Sequence, residues 1–201
     1  ADVGFAVAVG HGALGSGAVT NTADGTIAIG MNALDNIVSG ARNLAIGFTA
    51  LQHTDTGTDN IAIGYGALSD QNVGGSGHAA DSDHNIAIGS LSMSGAWADA
   101  KSEGNVAIGS STMNGVLSAA LNNTAVGYYA LNALTGGQGN VSIGMDSGVA
   151  LLAGLNNTFV GKESGKATTT VDSAVIVGYL AGSGIMTAAA IRLLVIKPQM
   201  L

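Results

Sequence analysis

The chain has 201 residues and a formal net charge of −7, with 32 glycines, one proline and no cysteine. Missing cysteine excludes disulfide scaffolds and cysteine-ligated zinc domains, and six cations scattered among thirteen acids cannot form the phosphate-tracking stripe of a nucleic-acid binder. A composition that is 47% apolar argues against disorder, and no segment reaches the roughly 18 uninterrupted apolar residues of a membrane span.

The start, Ala1-Asp2-Val3-Gly4, carries neither a cationic leader nor an initiator methionine, so a soluble, processed or excised chain is expected. From there one short motif recurs ten times: a branched aliphatic or threonine, a small residue, Ile or Val, then Gly. Its glycines are Gly10, Gly30, Gly47, Gly64, Gly89, Gly109, Gly127, Gly144, Gly161 and Gly178. The basic spacing is 17 residues, with insertions of 3, 8, 3 and 1 in four intervals. Seventeen residues are too few for a helical hairpin repeat and suit one strand-turn-strand coil. The predicted architecture is all-β: a parallel β-solenoid or β-roll of about ten coils over residues 1–182, with a C-terminal cap or junction strand over 183–201.

Each coil repeats the same positions. Asn stands four residues before the glycine in seven copies, including Asn60, Asn123 and Asn140, where it can bond turn backbone and stack as a ladder. The residues three and one before the glycine, such as Ile61 and Ile63 before Gly64, share one strand face, and the small residue between them, mostly Ala, faces the other way. The branched Ile/Val ranks are expected to be buried, and the small-residue face is expected to meet other chains in a trimer. The glycines, Gly64, Gly127 and Gly144 among them, are expected at corners that need positive φ or close approach to the next coil. Another small residue follows three after the glycine, then Leu or Met, until Gly148, Gly165 and Gly182 replace it; the packing is predicted to change near residue 148.

The strings Asn60-Ile61-Ala62-Ile63-Gly64-Tyr65-Gly66-Ala67-Leu68 and Asn123-Thr124-Ala125-Val126-Gly127-Tyr128-Tyr129-Ala130-Leu131 resemble repeats of bacteriophage tail fibres and the head repeats of trimeric autotransporter adhesins, the YadA-like heads. The resemblance spans about residues 3 to 182 and lies in repetition rather than in any single copy. It implies a homotrimer, intertwined or side by side, forming a rigid rod on a virion that presents loops for host attachment. Its implied partners are further copies of itself, other virion or fibre proteins, and a host surface glycan or outer-membrane receptor. A purely structural virion component and a fragment of a bacterial surface adhesin, at the cell surface, are the alternatives. The unit is longer than the adhesin coil, and the Ala-Leu ending is closer to the fibre type.

Candidate sites are few, and no enzyme activity, cofactor or metal is expected. The 70–85 loop holds His78, Asp81, Asp83 and His84, a weak divalent-metal pattern with too few oxygen ligands at fixed spacing. Asp55 and Asp59 suit an exposed turn. Asp146 and Glu163 share one register on successive coils, about 5 Å apart by strand spacing, the sole arrangement suggestive of a glycosidase pair. Tyr65, Tyr128 and Tyr179 share the register just after the glycine, as a possible receptor-contact row, and Trp97 is the leading receptor candidate because it sits in a connection longer than the minimum.

Overall fold

In a computed structural model, residues 5–15, 24–37, 40–53, 56–69, 82–97, 101–184 and 194–195 are described. The motif repeats form ten three-residue strands: β1 (Val7–Val9), β2 (Ile27–Ile29), β3 (Leu44–Ile46), β4 (Ile61–Ile63), β5 (Ile86–Ile88), β6 (Val106–Ile108), β7 (Thr124–Val126), β8 (Val141–Ile143), β9 (Thr158–Val160) and β10 (Val175–Val177). In the C-terminal run, β11 (Leu194–Val195) adds a parallel pairing to β10. All eleven lie in one parallel sheet in strict sequence order, so every coil advances the chain by one strand. Register is kept through every insertion: Ile61, Ala62 and Ile63 pair with Ile86, Ala87 and Ile88 across the longest one. The protein is a parallel β-solenoid. Among the described residues no helix is long and apolar enough to cross a membrane.

The orientation of the strands reverses the expected core. From β2 to β10 the middle residue is buried, whereas its two branched neighbours are half-buried or exposed. Ala28, Ala62, Ala107 and Ala125 have no accessible surface, while Ile29 is 37% and Ile143 42% exposed. The small-residue face is therefore the interior of each chain's own coil, and the Ile/Val ranks look outward. The physical reason is the width of a 17-residue coil, which leaves no room for large side chains from both walls at once. Ala fills the strand wall because the opposite wall supplies the bulk: Leu34, Leu51, Leu68, Met93, Met113 and Leu131 four residues after the glycine, and Ile37, Leu117, Leu134 and Leu151 seven or eight after it, all buried.

The predicted change near residue 148 is a size exchange across that interior. Where the strand wall grows from Ala to Ser142, Phe159 and Ile176, the facing Leu position shrinks to glycine. A Cβ on Gly148 would sit 2.7 Å from the Phe159 ring, and one on Gly165 3.1 Å from it. Both are left-handed, with φ +58° and +61°. Ser142, Ser147 and Ser164 form a buried hydroxyl chain beside the ring, with Ser147 Oγ 2.7 Å from Ser142 Oγ and 2.9 Å from Ser164 Oγ.

Two ladders hold the corners. The motif glycines stack with φ between +125° and +135°, and a Cβ on Gly64 would meet the Gly89 carbonyl oxygen at 2.6 Å. At the other corner the seven Asn side chains are all buried. Each Oδ1 accepts the main-chain N–H of the equivalent residue in the next coil, as Asn60 N–H to Asn43 at 2.9 Å and Asn157 N–H to Asn140 at 3.0 Å. Each Nδ2 donates to the carbonyl that lies three residues before that equivalent residue: Asn43 to Gly57, Asn85 to Ser102, Asn123 to Gly137 and Asn140 to Gly154. The chain turns there and main-chain partners run out, so the amide side chains replace them. Thr26 stands in for Asn at the N-terminal side, donating no amide but accepting the Asn43 N–H through Oγ1 at 3.4 Å. On the C-terminal side the ladder ends when Ala174 N–H reaches Asn157 Oδ1.

Candidate functional site

The glycine corner turns the following residue outward, creating a surface rank along the solenoid: Met31, Phe48, Tyr65, Ser90, Ser110, Tyr128, Met145, Lys162 and Tyr179. The residue after each of these has left-handed backbone, with φ of 53° at Thr49, 56° at Tyr129, 54° at Asp146 and 58° at Glu163. Tyr65, Tyr128 and Tyr179 are exposed by 56%, 50% and 55%, so the predicted tyrosine register is a surface row. Tyr65 stacks on Phe48 of the preceding coil with centroids 5.6 Å apart and planes 5° from parallel. Tyr128 meets Tyr129 edge to face at 4.3 Å. Its phenol is raised above the ordinary value by a hydrogen bond with Tyr129 first, then by desolvation and by the charges of Tyr129 and Asp146.

Charge is concentrated at the C-terminal end of this row. Lys166 donates to Glu163 at 2.9 Å, Lys162 lies 3.6 Å from the same carboxylate, and Lys162 Nζ sits 5.7 Å over the Tyr179 ring. Glu163 is held below the usual carboxylate range, chiefly by the Lys166 hydrogen bond, and Lys166 is raised in return. A carboxylate so held is an acceptor at neutral pH and a poor proton donor. Asp146 and Glu163 do occupy successive coils in one register, as the sequence indicated, and Lys166 and Lys162 hold the Glu163 carboxylate in ion pairs.

Trp97, the leading receptor candidate, is a core residue. It is 5% exposed, stands eight residues after Gly89 as Leu117 does after Gly109, and its indole N–H donates to the Met93 carbonyl at 3.3 Å. The extra length of that interval therefore leaves the Trp in the apolar rank. His78, Asp81 and Asp55 lie outside the described residues. The described half of the candidate metal pattern is tied up in ion pairs: Asp83 accepts from the Thr58 N–H at 2.7 Å and from Lys101 at 3.2 Å, while Asp59 takes both Arg42 donors at 2.7 and 2.6 Å, with His84 at 3.8 Å. Among the described residues no group of three His, Asp or Glu side chains is arranged to hold a metal.

Tyr129 is legible as a second aromatic beside Tyr128, and Lys162 as a cation beside the acidic pair; the residue that sequence reasoning missed is Lys166, which pairs with Glu163 from outside the repeat register. The outward Ile and Val positions of the strands leave exposed apolar side chains, Ile27, Ile29, Ile108 and Ile143 among them, alongside exposed Met31, Phe48 and Tyr65. No family model, curated protein or solved structure matches the chain.

Proposed function

We propose that this chain is a segment of a homotrimeric fibre of a phage virion, a rigid rod that places surface groups against a host envelope. The observation that carries this reading is the outward Ile/Val seam. From Ile27 to Val177 both branched positions of every strand are only partly covered, with Ile27, Ile29, Ile108 and Ile143 each 37% or more exposed. A lone chain would present a continuous apolar strip, and strips of that extent mark association surfaces. Self-association along a common axis covers it with an identical strip, which the regular spacing of the coils brings into register.

The strip replaces the small-residue face as the surface where chains meet. The repeat resemblance favours three chains and a fibre, and the uninterrupted parallel sheet suits a load-bearing shaft. A purely structural virion component is the second reading, favoured by the burial of Trp97. Light scattering on the purified chain tests the assembly: about three times 19.6 kDa is expected, and a monodisperse monomer would overturn the fibre reading. Adsorption of the purified trimer to susceptible cells separates the adhesive reading from the purely structural one.

A further inference from the structure

We infer that the surface formed by Tyr128, Asp146, Lys162, Glu163 and Tyr179 on the last four repeats binds a neutral hexopyranoside. The inference rests on the adhesive reading above and gives it a location. A pyranose ring has an apolar C–H face and a rim of hydroxyl groups, so its recognition needs exposed aromatic faces next to fixed hydrogen-bond acceptors. Those features coincide in this part of the tyrosine row. Tyr128 and Tyr179 are half-exposed three coils apart, roughly 14 Å by strand spacing. Between them, one residue further along the chain, Asp146 and Glu163 present carboxylates from successive coils, and an ionised carboxylate accepts two hydroxyl donors.

The acceptors are held in place. Left-handed backbone at both residues fixes where the side chains leave the corner, with main-chain bonds from Asp146 N–H to Tyr128 and from Glu163 N–H to Met145 at 2.9 and 2.8 Å. Lys166 and Lys162 clamp Glu163, and Lys162 also ties that carboxylate to the Tyr179 ring. Two carboxylates and two ammonium groups balance, which favours a neutral sugar over a sialylated or phosphorylated one. The other aromatic pair of the row, Phe48 and Tyr65, lacks the charged part of this chemistry, because the residues that follow them are Thr49 and Gly66.

Saturation-transfer NMR and calorimetry on the full chain test the inference, with the methyl glycosides of mannose, glucose and galactose as neutral probes and the methyl glycoside of N-acetylneuraminic acid as the acidic one. At least one neutral glycoside is expected to bind, and Asp146→Asn and Tyr179→Ala are each expected to weaken it tenfold or more. Asn tolerates the left-handed backbone at 146, and Tyr179 is exposed, so both variants should melt within a few degrees of the parent. Absence of binding by all three neutral probes overturns the inference, as does binding unchanged in both variants or binding of the acidic probe alone. Light scattering on the same samples keeps the outcomes apart. A trimer that binds no glycoside removes the patch and leaves the fibre, whereas a monomer that binds one removes the fibre and leaves the patch.

Discussion

Asn140 donates its main-chain N–H to the Oδ1 of Asn123, one coil earlier, at 3.0 Å, while the Asn123 Nδ2 reaches the Gly137 carbonyl at 2.7 Å. One side chain thus satisfies two buried main-chain groups of the neighbouring coil. Asn123→Leu removes both partners and leaves groups that cost about 1 to 3 kcal/mol each when buried unsatisfied. The expected result is a loss of about 2 kcal/mol or more in chemical denaturation, with larger effects in the middle of the ladder than for Asn43 at its end. An Asn123→Leu chain as stable as the parent would mean that water replaces the ladder.

The Phe159 ring occupies space that Gly148 and Gly165 vacate. Phe159→Ala is expected to cost about 3 to 5 kcal/mol through the cavity it leaves. Gly148→Leu alone is expected to be at least as harmful, since the ring blocks it and the backbone is left-handed. The double variant restores the Ala/Leu pairing of earlier coils, in which Leu34 and Leu68 already tolerate φ near +50°. It should therefore recover part of the loss, and denaturation of the two single variants and the double variant measures the coupling.

Ile63 lies on the outward seam, so the large stability loss expected of a buried isoleucine does not apply to the isolated chain. Ile63→Asp is expected to leave the β-sheet circular dichroism intact and to dissociate the proposed trimer, because an unpaired charge at a seam covered by another chain costs about 3 kcal/mol or more per chain. Light scattering reads the result. An unchanged trimer mass would place the seam elsewhere on the surface.

Asp83 gives the solenoid an acid-sensitive clamp. Burial raises its carboxyl, but hydrogen bonds from Thr58 and Lys101 outweigh that and set it below the ordinary carboxylate range. A depressed pKa contributes stability that is present above the unfolded value, about 3.9, and is lost as pH falls through the lower native value. The melting temperature is expected to drop from pH 5 towards pH 3, and Asp83→Asn should flatten that drop while lowering stability at pH 7. Equal pH profiles for the two proteins would show that other carboxylates control acid unfolding.

The repeat made most of this fold legible. Strand positions, parallel order, the Asn ladder, the glycine corners and the change near residue 148 all follow from periodic sites, because in a solenoid each coil meets only its neighbours and the pattern is local. What the pattern left open was which strand face looks inward. Alternation separates two faces without saying which one is covered, and Ile beside Ala favoured the larger residue. The deciding signal was the apolar rank seven or eight residues after the glycine, Ile37, Leu117, Leu134 and Leu151, which fills the interior from the far wall and leaves only Ala-sized room opposite. Trp97 belongs to that same rank, so missing the rank and misplacing the Trp are one error. The candidate site was half visible: the tyrosine row and the acidic pair could be read from register, while the lysine contacts depend on side-chain geometry that spacing does not encode.

Because the strands lie across the direction in which the sheet grows, tension applied along that direction pulls on hydrogen bonds in series, one coil at a time. A coil of the basic length stores 17 residues of chain in about 4.8 Å of length, and once opened it pays out roughly 55 Å of extended backbone. Opening one such coil lengthens the chain there by more than tenfold, and the coil left at the end keeps an open strand edge with which the released chain can pair again.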